Sequence, residues 1–271
     1  MNVSSDQLNT DWRKVASSIY RKPRDSKIYG SVDLDITELE KFIALKRKEG
    51  IKTTLTHIMT LIIGRALRQE VPQLNAYIKR GKVVKRKSVD AMVSILLKGD
   101  EMGSVIIENT DNLTIAELSD NIADKIKQSR GGDENSAMQS KYMLSSVPWP
   151  FRYWLFNIYK ILTIDWGISF PWLKLSSDSF GSYNVSNIGT LGLDTGYAAL
   201  LPSSNLSIVL IIGKVYKKPV VINDKIVPRK VFTLSATLDH RVVDGSHGGK
   251  LFRFIKYMIK NPHLLEQKPD Y

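Results

Sequence analysis

Apolar and polar positions alternate with a period of two along Ile28–Asp35 (IYGSVDLD), which predicts a strand. At Thr37 the period changes. Leu39, Phe42 and Ile43 fall on one helical face, Thr37 and Glu40 have capping-box spacing, and Gly50 closes the helix. The next helix, from about Thr54 to Gln69, is apolar nearly all round and is expected to be buried, with Pro72 ending it. Tyr77–Ile78 and Val83–Val84 flank the basic turn Lys79-Arg80-Gly81-Lys82 and read as a hairpin. Val89–Leu97 and Ser104–Ile107 read as a further strand pair. Thr114 and Glu117 repeat the capping-box spacing ahead of a helix reaching about Ser129, with Ile115, Leu118, Ile122 and Ile126 inward. A polar linker, Arg130–Ser140, follows.

Phe180–Ser186 (FGSYNVS) reads as a strand, followed by the loop Asn187–Gly192. Leu206–Gly213 is a continuous apolar run, as in a central strand covered on both faces. Val220–Val227 is expected to turn back at Asn223-Asp224. Val231–Leu238 is then a strand that runs straight into Asp239-His240-Arg241-Val242-Val243-Asp244-Gly245. After Gly248-Gly249 the pattern predicts a helix with Leu251, Phe252, Phe254, Ile255, Met258 and Ile259 inward, stopped at Asn261-Pro262. Strands and helices mixed in this order, with several hairpins, define an α/β fold with a mixed sheet flanked by helices, not a doubly wound parallel sheet.

One stretch breaks the pattern. Val147–Leu175 holds four of the five tryptophans, and Arg152, Asn157, Lys160 and Asp165 interrupt it, so a membrane-spanning helix is not expected. It reads in three ways: an insertion packed on the domain or in a subunit interface, an interfacial membrane or lipid-binding element, or a wall of a substrate channel.

Composition narrows the chemistry. The 271 residues can bury a sizeable core, and the absence of cysteine excludes disulfides, thiolate nucleophiles and Cys-ligated zinc. With four scattered histidines, no metal site is expected. The formal charge of +12 favours anionic partners, such as a phosphorylated cofactor, an acidic carrier or an anionic membrane. Lys79–Lys87 lacks aromatic interleaving and reads as a solvated turn, so no nucleic-acid partner is expected. MNVSSDQLNTDW has no basic n-region before an apolar core, so a cytoplasmic location is expected, with peripheral membrane contact left open.

The candidate chemistry sits in Asp239–Gly245. A histidine at a strand end is placed for general-base work if a carboxylate or carbonyl fixes its tautomer. Asp239 and Asp244 are candidates for that role, and Arg241 can pair with either. Gly245 is read as allowing a backbone angle or close approach that a side chain would block. The residues alone equally allow a histidine satisfied in a turn, with no chemistry. His57, inside the apolar second helix, reads as a core histidine, and His263 as a surface one. His247 lies near the motif in sequence.

Asp239–Gly245 resembles the D-H-R-x-x-D-G signature of the catalytic domain of 2-oxo acid dehydrogenase acyltransferases, relatives of chloramphenicol acetyltransferase. Ser186-Asn187-Ile188-Gly189 resembles the same family's S-N-[LI]-G, Val32–Leu39 its strand-to-helix entry, and Pro72–Ala76 its P-x-L-N-A. The resemblance covers most of Lys27–Leu265 apart from Gly131–Asp178. It implies a two-layer coenzyme-A-dependent acyltransferase fold over residues 27–271, after a polar extension at 1–26 and with an aromatic insertion at about 131–178.

It also implies a coenzyme-A-linked acyl donor and direct transfer to a thiol or hydroxyl acceptor. His240 would be the general base, Ser186 the donor to the oxyanion, and Asp244 a neighbour holding the site. Asp239, Arg241 and Gly245 would support the loop. Asn187, Trp166 and Trp172 are candidate substrate contacts. The family usually forms trimers, with each site between two subunits, so Ser186 is expected from a neighbouring copy. No lipoyl domain is expected ahead of residue 27, and Met102–Asn109 stands where the family has G-L-x-x-P-V-I. A free-standing acyltransferase acting on an apolar acyl chain, a lipid or a carrier-bound substrate is therefore expected. A non-catalytic trimeric scaffold, or a membrane-associated assembly protein that keeps the fold, is the alternative.

Overall fold

The structure, a computed structural model, describes residues 25–96, 102–130, 147–148, 150–170, 172, 180–202 and 204–271. Most of the N-terminal extension, most of the 130–140 linker and parts of the aromatic stretch lie outside these residues.

The centre of the molecule is a mixed sheet. Its strands are β1 (Lys27–Asp35), β4 (Ala91–Leu96), β5 (Met102–Ile107), β6 (Tyr183–Asn187), β7 (Ile208–Ile212), β8 (Tyr216–Ile222) and β9 (Lys225–Asp239). The order is β1-β9-β7-β6-β4-β5, with β8 paired to the first half of β9. β6 runs parallel to both β4 and β7, and the remaining pairings are antiparallel. A separate hairpin joins β2 (Ala76–Lys79) to β3 (Lys82–Lys85). Its turn residues Arg80 and Gly81 both have positive φ, as do Asn223 and Asp224 between β8 and β9. That is the backbone a two-residue hairpin needs to match strand twist.

Helices α1 (Thr37–Lys48), α2 (Leu55–Gln69), α3 (Ile115–Arg130) and α5 (Gly245–Lys260) cover one face of the sheet. Alternate residues of the strands, such as Tyr183, Val185, Ile208, Leu210, Leu234 and Ala236, meet them in a single core. The other face carries a smaller apolar cluster, in which Met92, Leu206, Val209 and Ile211 pack under Ile188, Ala198 and Leu200. Two layers result, with helices on one side and a loop on the other. α4 (Phe151–Tyr159) continues as a π-helical turn through Lys160–Asp165. Among the described residues no helix is long and apolar enough to cross a membrane.

Two helix starts differ from expectation. Thr37 lies inside α1 instead of capping it: Asp35 Oδ1 accepts from the Thr37 amide (2.9 Å) and hydroxyl (2.6 Å), while Glu40 pairs with Lys230. α5 begins at Gly245, so Gly248 and Gly249 sit within the helix and do not precede it. The cap is Asp244, whose Oδ1 accepts from the Ser246 amide at 2.9 Å. At Thr114 the expected box is present in both directions. Thr114 Oγ1 accepts from the Glu117 amide (3.2 Å), and Glu117 Oε2 accepts from the Thr114 amide (2.8 Å).

Candidate active site

The site is built from the two ends of the sheet. At one end β9 delivers His240. The Asp239 amide donates to Ser207 O (2.9 Å), and the Asp239 carbonyl accepts from the amides of Val242 and Val243 (3.0 and 3.1 Å). The chain therefore turns tightly right after the strand. The Asp239 carboxylate is buried, with 4% of the residue exposed, and Arg241 meets it in bidentate fashion, Nη2 lying 2.6 Å from Oδ2 and Nε 3.0 Å from Oδ1. The Arg241 amide adds a bond at 3.0 Å. Asp239 and Arg241 thus lock the backbone on both sides of His240.

His240 itself is exposed, and its amide donates to Ser26 O at 2.7 Å. Its Nδ1 lies 2.8 Å from the Val243 carbonyl oxygen. A carbonyl can only accept, so the hydrogen sits on Nδ1 and the lone pair on Nε2. Nε2 makes no hydrogen bond among the described residues, so it is free to take a proton.

Asp244 does not provide the orienting group. Among the described residues its carboxylate accepts from Ser246 N and Oγ (2.9 and 2.7 Å) and lies 2.9 Å from His247 Nδ1. The Ser246 hydroxyl, then His247 and the Ser246 amide, hold its pKa down at about 2. The contact to a carboxylate places the hydrogen on His247 Nδ1, so the 3.3 Å approach of the Asp244 amide to the same nitrogen is not a hydrogen bond in that tautomer. Gly245 also departs from expectation. Its φ is not positive, and a Cβ there would meet nothing within 4 Å among the described residues, so no crowding by them requires a glycine at that position.

Ser186 lies at the other end. In β6, Tyr183 and Val185 face the core while Asn184 and Ser186 face the loop-covered side. The loop after the strand is stiff. Asn187 Oδ1 accepts from the Gly189 amide (3.0 Å) and its Nδ2 donates to Thr56 Oγ1 (3.1 Å), so both ends of this candidate substrate contact are already used. Gly189 is required by close approach, since a Cβ there would sit 2.6 Å from Gly213 O. The Ser186 hydroxyl makes no hydrogen bond among the described residues. It opens on a groove of about 450 Å³ lined by Met92, Ser94, Asn184, Tyr197, Leu201 and Ile211. These wall residues were not picked out from the sequence, although the polar alternation Asn184/Ser186 within a core strand is a readable signal.

One chain does not bring Ser186 and His240 together. Register places Ser186 level with Ile211, and Ile211 level with Ser235. His240 is five residues further along, roughly 16 Å down the strand, and two strands across. A second cleft, of about 500 Å³, lies on the histidine side, with Asp239 and Arg241 on its wall beside Lys27, Arg80, Lys160, Asp165 and Trp166; His240 itself does not line it. Trp166 therefore shares a wall with the histidine loop. Trp172 does not line this cleft; it is 76% exposed and packs edge-on against Phe170. His57 lies half-buried in α2 with Nδ1 3.3 Å from Ser119 Oγ, and burial pushes its pKa down to about 4. His263 is exposed.

A mixed sheet with helices on one face and a loop on the other defines a two-layer α/β fold, here with a histidine fixed at one end and a serine open at the other. Solved structures share this fold. A probable dihydrolipoamide acetyltransferase from Listeria monocytogenes aligns over 96% of this chain and 94% of its own, with a TM-score of 0.64 and 18% identity. The dihydrolipoamide acetyltransferase of Azotobacter vinelandii aligns over 89% of this chain and 84% of its own, with a TM-score of 0.63 and 18% identity. The chain belongs to the 2-oxoacid dehydrogenase acyltransferase family (catalytic domain), whose model matches residues 13–140 and 173–266. The match starts within the N-terminal stretch and skips 141–172, inside the aromatic-rich region. Among curated relatives, the acetyltransferase component of the Rickettsia bellii pyruvate dehydrogenase complex is 25% identical over 80% of this chain and 42% of its own. The lipoamide acyltransferase component of the Bacillus subtilis branched-chain alpha-keto acid dehydrogenase complex is 21% identical over 92% of this chain and 50% of its own. The chain thus spans about half the length of these relatives or less.

Proposed function

We propose that this protein transfers an acyl group between coenzyme A and a thiol or hydroxyl acceptor, at a site completed by a second copy of the chain. The observation that carries the reading is His240, with Nδ1 tied to a backbone carbonyl and Nε2 free. His240 Nε2 takes the proton of the acceptor S–H or O–H as that atom attacks the acyl carbonyl. The Ser186 hydroxyl of the neighbouring copy donates to the oxyanion that forms, a contact that typically contributes about 3–4 kcal/mol at the transition state. Collapse expels the coenzyme A thiolate, and His240 returns the proton to it. Lys27, Arg80 and Lys160, on the histidine-side cleft, suit the phosphates of that substrate.

The study of the Azotobacter enzyme concerns a serine, a histidine and an asparagine in its catalytic mechanism, the last two being four positions apart. His240 and Asp244 have the same spacing, which supports the carry-over and puts an aspartate where that chain has an asparagine. Trimers are part of the proposal, because the separation within one chain, roughly 16 Å along the strands and two strands across, leaves each half-site incomplete. A related core structure is the cubic core of the pyruvate dehydrogenase multienzyme complex, and cubic symmetry contains threefold axes. A carrier-bound or lipid-borne acceptor, with an apolar acyl chain, suits the largely apolar groove beside Ser186.

Complementation tests the whole reading. His240→Ala and Ser186→Ala are each expected to lower transfer from acyl-coenzyme A to dihydrolipoamide by about 10² or more. Co-expressed, they form mixed trimers in which one interface in three is intact, so roughly a quarter of wild-type activity should return. No recovery would place both groups in one subunit. Wild-type turnover in His240→Ala would overturn the mechanism, and absence of coenzyme A binding by calorimetry would favour the non-catalytic scaffold.

A further inference from the structure

From α4 and the turn after it, we infer a docking surface for an anionic lipid bilayer. The helices that cover the sheet turn their apolar stripes inward, as surface helices do. α4 does the opposite. Phe151, Trp154, Leu155 and Ile158 recur at helical spacing, and all are exposed (59%, 59%, 47% and 56%). Ile161 and Trp166 extend the exposed apolar surface past the helix. The inward side is made by the partly buried Phe156, Tyr159 and Lys160 and the buried Thr163 and Ile164. The outward stripe is thus a face of its own, of the kind that marks a contact site.

Charge identifies the occupant. The β2–β3 hairpin is bonded to the end of this element, through Arg80 N to Asp165 O (2.9 Å) and Arg80 Nε to Trp166 O (3.2 Å). From Ala76 to Ser88 the hairpin region carries no acidic residue, and Arg80, Lys82, Lys85 and Lys87 are exposed. Aromatic and aliphatic side chains beside a row of cations match the chemistry of an anionic lipid surface: acyl boundary for the rings, headgroup phosphates for the amines. A twofold contact with a second copy would bring the same cations against each other. Residues 141–172 lie outside both stretches that the family model matches. Trp166 and Lys160 line the same cleft as Asp239 and Arg241, so docking would bring the bilayer up to the histidine side of the molecule. The inference does not depend on the acyl-transfer reading.

Cosedimentation of the full chain with vesicles tests it. In moderate salt the protein is expected to sediment with vesicles containing phosphatidylglycerol and to stay in solution with phosphatidylcholine alone. The triple variant Trp154→Ser, Leu155→Ser, Ile158→Ser should weaken binding about tenfold or more, with circular dichroism and solution mass unchanged. Lys82→Glu with Lys85→Glu, on the hairpin, should weaken it as well without touching the stripe. Failure to sediment with anionic vesicles overturns the proposal. So does undiminished binding by the triple variant, or a fall in its oligomeric mass, which would make the stripe a contact between copies.

Discussion

His57 and His240 are the same side chain in opposite settings. His57 lies in the first turns of α2, half-buried against Ser119, and burial holds its pKa near 4, so it is neutral at neutral pH. His240 is exposed, yet its backbone is held: its amide is bonded to Ser26, and the flanking Asp239 carbonyl closes the turn. In His240 one ring nitrogen is anchored and the other is free. Exposure does not imply freedom to move, and burial does not imply a role. What separates the two is whether a nitrogen with an available lone pair is held in a fixed direction.

The largest break in the comparison should come from His240→Ala. Turnover is expected to fall by about 10²–10⁴, the usual contribution of a positioned base, with stability within about 0.5 kcal/mol because the ring is exposed. Initial rates with acyl-coenzyme A and a denaturant curve decide it. A large stability loss with rates intact would make His240 the structural histidine of the pair.

Next in size is Arg241→Leu, which removes the cation from a carboxylate that is 4% exposed. Loss of such a partner in a fully buried pair is severe, but the Arg241 side chain is 60% exposed and solvent screens it. About 1–2 kcal/mol is expected, read from the denaturant midpoint. Arg241→Leu combined with Asp239→Asn should lose less than the two single changes summed, because the uncompensated charge is gone.

Much of this was legible in the sequence, for definite reasons. The apolar run in α2 and the period-two alternation of β1 are local signals backed by burial, and each element formed where its pattern lay. The β8–β9 turn at Asn223-Asp224 follows from residues that tolerate positive φ. The helix at Thr37 starts where its pattern lies, but Asp35 and not Thr37 accepts its first amide, and α5 starts three residues before its glycine pair because Asp244 caps it. The separation of Ser186 from His240 was not readable from spacing, since it depends on the antiparallel register of β7 on β9. The histidine's orienting group is open in the sequence between a carboxylate and a carbonyl, with Asp239 and Asp244 the candidates that can be named. The acceptor is the carbonyl of Val243, which carries no side-chain signal.

His57 gives a smaller, pH-dependent effect. Its folded pKa of about 4 lies below the unfolded value of about 6.5. Between these limits the unfolded chain binds a proton that the folded chain refuses. Stability therefore falls as pH drops from about 6.5 to about 4, and levels off below. His57→Gln should lose about 1 kcal/mol at neutral pH through the Ser119 contact, and should flatten that slope. Denaturant midpoints at pH 7.5 and 4.5 (about one unit above and two below the unfolded value) should differ less in the variant than in the wild type. Turnover should stay within about twofold, since the ring lies in the α2 layer and not on either cleft. A rate loss comparable to that of His240→Ala would erase the contrast between the two histidines.

The smallest expected change concerns a third histidine, His247, through its partner. Asp244 is held at about 2, first by the Ser246 hydroxyl and then by His247. Its folded value lies below the unfolded value of about 3.9, so the charge adds stability above that pH and the gain disappears as pH falls through about 2. Asp244→Asn keeps an acceptor suited to an N-cap and removes only the charge. The wild type should exceed the variant in denaturant midpoint at neutral pH, and the two should converge at about pH 2. Convergence would show that Asp244 acts through charge on the first turn of α5 and on His247. A gap that persists in acid would mean instead that the carboxylate serves as a shape within the loop, which would tie it to the fixed geometry of His240.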